Sequence, residues 1–535
     1  MGIPGSKTDQ IRYLGAWKRL APAILVLLSG LGCDFKNDGK SKTIPTAPEY
    51  ITRDVSGLDA VRPMPALGLK DGDTLRLSAG PVKKVIHGKE TRMLAYNGSI
   101  PGPLVKVPQG ATITVLLQNH TGLATSLHSH GVRMASAFDG GLDTISDGAA
   151  GTYTLHFPDP GIYWYHSHER EDYSLELGMY GNYLVAPRDT GVWKPVDREI
   201  VLIVNDILTD SAGIKPYRKD GADYAMMGRF GNVFLVNGDT ACTLDVKRNE
   251  VIRFFLTNAC NARVLAISLR NGGTLKVVGS DNGPYEAPRL GQWEYVAPGE
   301  RSVFEAYFND AGEDSIMHVT PTRAFGLAKI RVSADSATSG LHRYFQNYDT
   351  NAHAIASIDS FRADFEKPVD KELLLSVRMA GMIGMAGVAK TAAAQHDPNG
   401  MEWEDHMGGA NELSTSENTT WIIRDVKTGL ENHDIHWTFK QGDRVKIRIY
   451  NDSTSMHPMP HPIHFHGQRF LVTSSNELPN GVELGWKDTY LVGRGERTEI
   501  LLDASNPGEW MAHCHIAEHL EASMMFHYTV EKAAP

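Results

Sequence analysis

The chain is poor in cysteine, with four in 535 residues, too few to staple a fold by disulfides. It has no excess of positive charge: 53 Lys and Arg stand against 63 Asp and Glu, a net charge of −10. That argues against a nucleic-acid binder, which grips phosphate with a basic face. It also lacks a long apolar run. The best stretch, Leu20 to Gly32 (LAPAILVLLSGLG), falls short of the ~20 residues a helix needs to cross hydrocarbon. With 41% hydrophobic and 22% charged residues the composition is that of a globular chain, not a disordered one. The length suggests three or four domains at about 150 residues each. What is plentiful is Gly (52), Pro (27) and His (22). Gly and Pro favour the many turns of an all-β fold, and the placement of the histidines decides the chemistry.

Arg12, Lys18 and Arg19 precede the Leu20–Gly32 run. A basic stretch before a short apolar one reads as an export signal, so residues 1–33 are taken as a signal peptide or lipoprotein signal. Cys33 follows directly and offers a lipid anchor. Bacterial lipoproteins usually carry Leu three residues before that cysteine, and here the residue is Gly30; a cleaved signal with an incidental cysteine is the other reading. Either way the mature chain is expected outside the cytoplasm, in a bacterial periplasm or anchored to its membrane. Residues 34–60 are polar and Pro-containing, and read as a tether.

Three segments repeat one pattern: GATITVLLQN from Gly110, NEVIRFFLTN from Asn249 and GDRVKIRIYN from Gly442. Each closes on an Asn nine residues on. Each alternates apolar and polar positions, as a half-buried strand does. A second echo is Pro160-Gly161 before IYWYHSH and Pro507-Gly508 before EWMAHCH, with Ala311-Gly312 before EDSIMHV as a degenerate copy. A third is GERSVFEAYF from Gly299 and GERTEILLD from Gly495. The chain is thus expected to hold three homologous two-sheet β-sandwiches near 61–190, 195–345 and 365–535, with 346–372 as a long connection. In the middle copy the stretch NACNARVLAI has no His, so that copy is expected to be structural.

Four motifs gather ten histidines: His128-Ser-His130, His166-Ser-His168, His461-Pro-Ile-His464-Phe-His466, and His513-Cys514-His515-Ile-Ala-Glu-His519. Residues i and i+2 of a strand share a face, about 6.5–7 Å apart, so the two imidazoles of a His-x-His reach one metal or two neighbours. The residue between points the other way. In the fourth motif that residue is Cys514, so one strand offers two imidazoles to one side and a thiolate to the other. A thiolate with two histidines and a weak axial sulfur is the blue-copper electron-transfer set, and Met524 lies five residues past His519. One such pair alone is compatible with zinc or with chance; four, at matching places of two repeated units, are not.

In this order and spacing the four motifs resemble the multicopper oxidases, the laccase-like blue copper enzymes, from about residue 60 to the end. MMGRFGNVFLVNG (Met226–Gly238) and MEWED (Met401–Asp405) are similar to bacterial three-domain members. The resemblance implies three cupredoxin-like Greek-key sandwiches and four copper ions. Type 1 copper would take His461, Cys514 and His519, with Met524 axial. Type 2 would take His128 and His464. The type 3 pair would take His130, His166 and His515, and His168, His466 and His513. The cluster would lie between the first and third domains, with O2 as oxidant and a small phenol, aromatic amine or metal ion as reductant. The alternative is a copper-binding or copper-tolerance protein, a cuprous oxidase or a sequestering protein. Asp139, in FDGG, stands where family members place a carboxylate near the cluster; it is either a proton relay that also orients water or a turn residue. Several bacterial members have Glu directly after the last type 1 His, whereas here Leu520 precedes Glu521, and Ser129 replaces a common Trp.

Met379, Met382, Met385, Met456, Met459 and Met525 offer soft thioethers suited to Cu(I), or fill core gaps. His457 is expected in a loop, and His396, His406, His433 and His436 at the surface. Cys242 and Cys260 bracket one strand–turn–strand and are either joined or free.

Overall fold

The computed structural model describes residues 50–380, 400–475 and 483–533. The signal segment 1–33 with Cys33, and Met382, Met385 and His396, lie outside the described residues.

The sheets fall into three blocks along the chain. Between Ala66 and Ala186 a four-stranded sheet, in spatial order Lys89–Tyr96, Thr74–Ile86, Thr112–Asn119 and Ala150–His156, shares a core with a five-stranded one. The latter runs Ala66–Gly68, Leu104–Pro108, Tyr180–Ala186, Gly161–His166, His128–His130. A six- and a five-stranded sheet follow between Arg198 and Ser336, and two five-stranded sheets between Lys371 and Glu531. Three apolar cores centre on the three blocks, and the first and third also take in second-block residues such as Ile203, Ile207 and Met227. The non-sequential strand orders and paired sheets make the fold cupredoxin-like and all-β. No helix among the described residues is long and apolar enough to cross a membrane.

The first repeat forms the strands Thr112–Asn119, Glu250–Asn258 and Asp443–Asn451. Its closing Asn does the same job three times. Asn119 donates through Nδ2 to the carbonyls of Leu123 and Ile145, Asn258 to Arg263 and Val296, Asn451 to Met459 and Val492. All three are buried, and a buried carbonyl without a donor is costly; that explains the repeat. The middle strand departs from the half-buried expectation, because every residue of it is buried. Its second face is covered as well, with Phe255 in one cluster with Ile162 of the first block and Val303.

The second repeat forms Gly161–His166, Gly312–Val319 and Gly508–Cys514. The opening glycines hold φ of +152°, +142° and +148°, a backbone that favours Gly. At Gly508 a Cβ would also lie 2.3 Å from Ser136 Oγ.

Two expectations are corrected, for residues 50–60 and His406, and a third, the 346–372 connection, gains detail. Residues 50–60 are not a free tether: Tyr50 and Ile51 pack on the first core, and Tyr50 meets Tyr173 edge-on at 6.0 Å. The 346–372 connection is partly helical, over Ala352–Ile358, with the Asn351 side chain accepting the Ala354 N–H as its cap. His406 is half-buried beside the Glu402 carboxylate at 3.1 Å, not on the surface. Cys242 and Cys260 carry free thiols.

Candidate metal centres

Four short strands carry the motif histidines. His128–His130 pairs antiparallel with Gly161–His166, setting His128 opposite His166. His461–Phe465 pairs with Gly508–Cys514, setting His464 opposite His513. Alternation along each strand puts His128 with His130, and His464 with His466, on single faces, and those two faces meet. The rings of His130 and His464 stack at 3.7 Å between centroids, and those of His128 and His466 at 4.1 Å. Of the eight histidines here the most open, His168, is 9% exposed.

Their hydrogen bonds settle which nitrogen is bare. Nδ1–H of His128 donates to Asp139 O at 2.9 Å, of His166 to Ser167 O at 3.0 Å, of His464 to Asp488 O at 2.8 Å, and of His513 to Cys514 O at 2.9 Å. A carbonyl only accepts, so these rings present an unprotonated Nε2. His466 does the same by donating Nδ1–H to Asp139 Oδ2 at 2.7 Å. His130 is reversed: its Nε2 meets Asp488 Oδ1 and Thr489 Oγ1, both at 3.0 Å, which leaves Nδ1 bare. The bare nitrogens converge. His513 Nε2 lies 3.0 Å from His466 Nε2 and 3.4 Å from His168 Nε2. Nε2 of His128, His166 and His464, Nδ1 of His130 and both nitrogens of His515 are buried without a hydrogen-bond partner. Three groups draw their ligand atoms within 4.8 Å of one another: His128, His130 and His464; His130, His166 and His515; His168, His466 and His513. Burial, and then neighbouring imidazoles, hold His130, His166, His168, His464 and His513 well below the usual imidazole range, while His515 is pushed down to about 3, chiefly by burial. They are neutral at pH 7, the state a metal ligand needs. Buried lone pairs that face one another are costly unless cations lie between them, so the donor set fits metal ions.

Cys514 sits on the opposite face of its strand, fully buried, with Sγ 3.5 Å from His461 Nδ1 and 3.8 Å from His519 Nδ1. The two Nδ1 atoms are 3.3 Å apart. The short helix Ala517–Glu521 turns the chain back so that His519 returns to the sulfur. Met524, also fully buried, follows it, and its carbonyl accepts the Cys514 N–H at 3.0 Å. Burial pushes the Cys514 thiol up and lowers His461 to about 3. A cation in the pocket reverses the first effect, because it favours the thiolate. His457 lies in a loop, buried, with Nε2 3.0 Å from Met227 Sδ. Met459 is buried and Met456 61% exposed.

Several groups here escaped the sequence reading. Trp421 stacks on His519 at 4.0 Å and meets His461 edge-on at 4.9 Å, anchored by Nε1–H to Ala225 O at 2.7 Å. Asp488, which orients His130, is held by Arg301 of the middle block through two bonds of 2.6 Å. The middle block is therefore not merely structural. Its Asn261 also bridges Asp172 O and Glu518 Oε1, both at 2.8 Å. Glu171 is buried, with Oε1 3.6 Å from His166 Nδ1 and 3.5 Å from His168 Nε2. Trp421, Asp488 and Glu171 belong to no repeated motif, and although Arg301 lies in the GERSVFEAYF echo, nothing in its spacing marks a partner 187 residues on. At Asp139, burial alone would raise the carboxyl, but the imidazoles of His466 and His128 more than offset it and hold it far below the usual carboxylate range. Glu518 and Glu521 are both raised to about 8 by burial and by Asp172.

A fold of repeated cupredoxin-like sandwiches with a Cys–His site beside a histidine cluster defines a copper oxidase. The chain belongs to the multicopper oxidase family, oxidoreductases that use oxygen: family models described as multicopper oxidase match residues 80–190 and 405–534. Multicopper oxidase MmcO of Mycobacterium tuberculosis is 25% identical over 527 residues, 90% of this chain and 91% of its own length. Copper resistance protein A of Pseudomonas syringae pv. tomato is 30% identical over 164 residues, 30% of this chain and 27% of that protein. The McoA multicopper oxidase of Aquifex aeolicus superposes with a TM-score of 0.65 at 24% identity, covering 89% of this chain and 99% of that one, a likeness of fold.

Proposed function

We propose that this chain takes single electrons from a small phenol, aromatic amine or low-valent metal ion and reduces O2 to water with four bound coppers. His461, Cys514 and His519, together with Met524, would hold the type 1 ion. His128 and His464 would hold type 2. His130, His166 and His515, and His168, His466 and His513, would hold the type 3 pair. Bound copper supplies the one-electron redox chemistry and the four-electron storage that O2 reduction needs. The chain supplies placement. Peptide bonds join Cys514 to His513 and His515, so a few covalent bonds connect the sulfur site with the histidine cluster. Asp139 fixes the His466 proton on Nδ1 and keeps an ionised carboxylate at the cluster, where it relays protons. The domains are taken as 61–190, 195–345 and 365–535, and export follows from the signal-like residues 1–33.

The observation that carries this reading is the convergence of unprotonated, buried imidazole nitrogens beside a cysteine flanked by two histidines. The test is copper-loaded protein, its absorbance near the blue-copper band, and O2 uptake with a phenolic dye and with Cu(I). Cys514→Ser is expected to be colourless and to consume no O2; a variant that stays blue and still consumes oxygen overturns the assignment. The relative named copper resistance protein A favours a second reading, copper tolerance by Cu(I) oxidation or sequestration. Faster O2 uptake with Cu(I) than with phenols selects the first form of it, and blue protein without O2 uptake selects sequestration.

A further inference from the structure

Two histidines outside both centres stand in a row with one of the centres, and a third, His433, lies beside them. In the five-stranded sheet that carries Cys514 the spatial order is His436–Lys440, Met525–Glu531, Gly508–Cys514, His461–Phe465, Thr489–Val492. Across it His436 is opposite His527 and His527 opposite Met511. Met511 O accepts the N–H of His466 at 3.0 Å. Opposed residues share a face, and neighbouring strands are about 4.8 Å apart. Two imidazoles, a thioether and the His466 imidazole are thus spaced by single strand steps. Burial rises along the row: His436 is exposed, His527 half-buried, Met511 4% exposed and His466 fully buried.

His433, exposed on the turn Asn432–Asp434, places its ring 5.9 Å from that of His527. The His436 ring is 6.4 Å from His527 and nearly parallel, at 16°. With metal–nitrogen bonds of about 2.0–2.1 Å, two imidazoles on one ion put their centres roughly 4.5–6 Å apart, so small rotations of the exposed rings close the gap. Burial, followed by His433 and His436, holds His527 below the ordinary imidazole range, while the exposed Glu509 carboxylate opposes this. The ring is neutral and able to ligate at pH 7. The eight-histidine cluster is closed to solvent, so an ion arriving there needs donors on its way in.

We propose that His433, His436 and His527 form a surface capture site for Cu(I), and that Met511 relays the ion to His466, so that this row fills the buried cluster. The proposal rests on the reading that the cluster holds copper. Each transfer exchanges one donor for the next and leaves the oxidation state unchanged. A thioether within a row of imidazoles suits Cu(I).

The test uses metal-free full-length protein mixed anaerobically with Cu(I), sampled into a Cu(I) chelator, with copper retained per chain followed in time. His436→Ala/His527→Ala is expected to load roughly tenfold more slowly to the same final content. Met511→Leu, close in volume, is expected to slow loading as well. Capture is read separately: copper-filled protein, stripped of loose metal by dialysis against the chelator, is titrated with Cu(I). The parent and Met511→Leu should take up one further equivalent and the double variant none. A loading rate unchanged in either variant, or a filled parent that takes up nothing more, overturns the proposal. A parent that never retains copper overturns the oxidase reading instead.

Discussion

Replacing Arg301 with Met takes a guanidinium from between two carboxylates that no solvent reaches. Arg301 and Asp488 are both fully buried, joined by two bonds of 2.6 Å, with Asp281 3.7 Å from the guanidinium. Arg301 further donates to Ile162 O at 3.1 Å and Gly299 O at 3.3 Å. Removing one partner of such a pair strands the other charge, at about 3–5 kcal/mol, or roughly 3–5 °C in Tm for the folded unit Pro48–Pro535. The damage should centre on the metal site, because Asp488 orients His130 Nε2. Asn at 488 keeps an oxygen for that bond and removes the charge. Arg301→Met/Asp488→Asn is therefore expected to regain at least about 1.5 kcal/mol over the single variant, since pairs removed together cost less than pairs broken. Scanning calorimetry of the metal-free proteins at one scan rate measures both. A single variant within 1 °C of the parent, or a double variant no more stable than the single, refutes the argument that the middle block clamps the cluster through this ion pair.

Other outcomes follow from the same geometry. Asn258→Ala removes a buried donor from two carbonyls and should cost about 2–4 kcal/mol by urea unfolding, whereas the exposed Asn347→Ala should cost under about 0.5. Asp139→Asn keeps a group beside His466 but no proton acceptor, and should slow O2 reduction roughly 100-fold with copper content unchanged; an unaltered rate removes Asp139 from proton delivery. The folded-state values of His130, His166, His168, His464, His513 and His515 lie below the unfolded ~6.5, so the unfolded chain binds more protons as pH falls. Metal-free protein should thus lose stability steeply as pH falls below about 6.5, as urea titrations between pH 7.5 and 5 would record, while Glu518 and Glu521, raised to about 8 in the fold, take some stability away as pH rises toward 8. Bound copper should move the acid-side loss to lower pH.

Much of this was legible in order along the chain. The alternating strands, their closing asparagines and the Pro-Gly starts were visible because a strand repeats every two residues and each copy must solve the same local problem. Asn119, Asn258 and Asn451 show why the closing residue is the same in all three copies: each donates to two buried carbonyls. The His-x-His pairs and His513-Cys514-His515 were visible for the same reason: alternation alone sends 513 and 515 one way and 514 the other. The burial of Glu250–Asn258 on both faces was not visible, since its second cover comes from Ile162 of another block.

Local spacing and residue chemistry by themselves determined the fold class, the repeat and the candidate ligands. Only the tertiary structure decided which histidine nitrogen stays bare, that Arg301 holds Asp488 and through it His130, and that Trp421 lies against His519. Those facts depend on groups far apart in the chain meeting in a dry interior. There an unpaired charge or donor is costly enough to select the partner, and no sequence spacing records that selection.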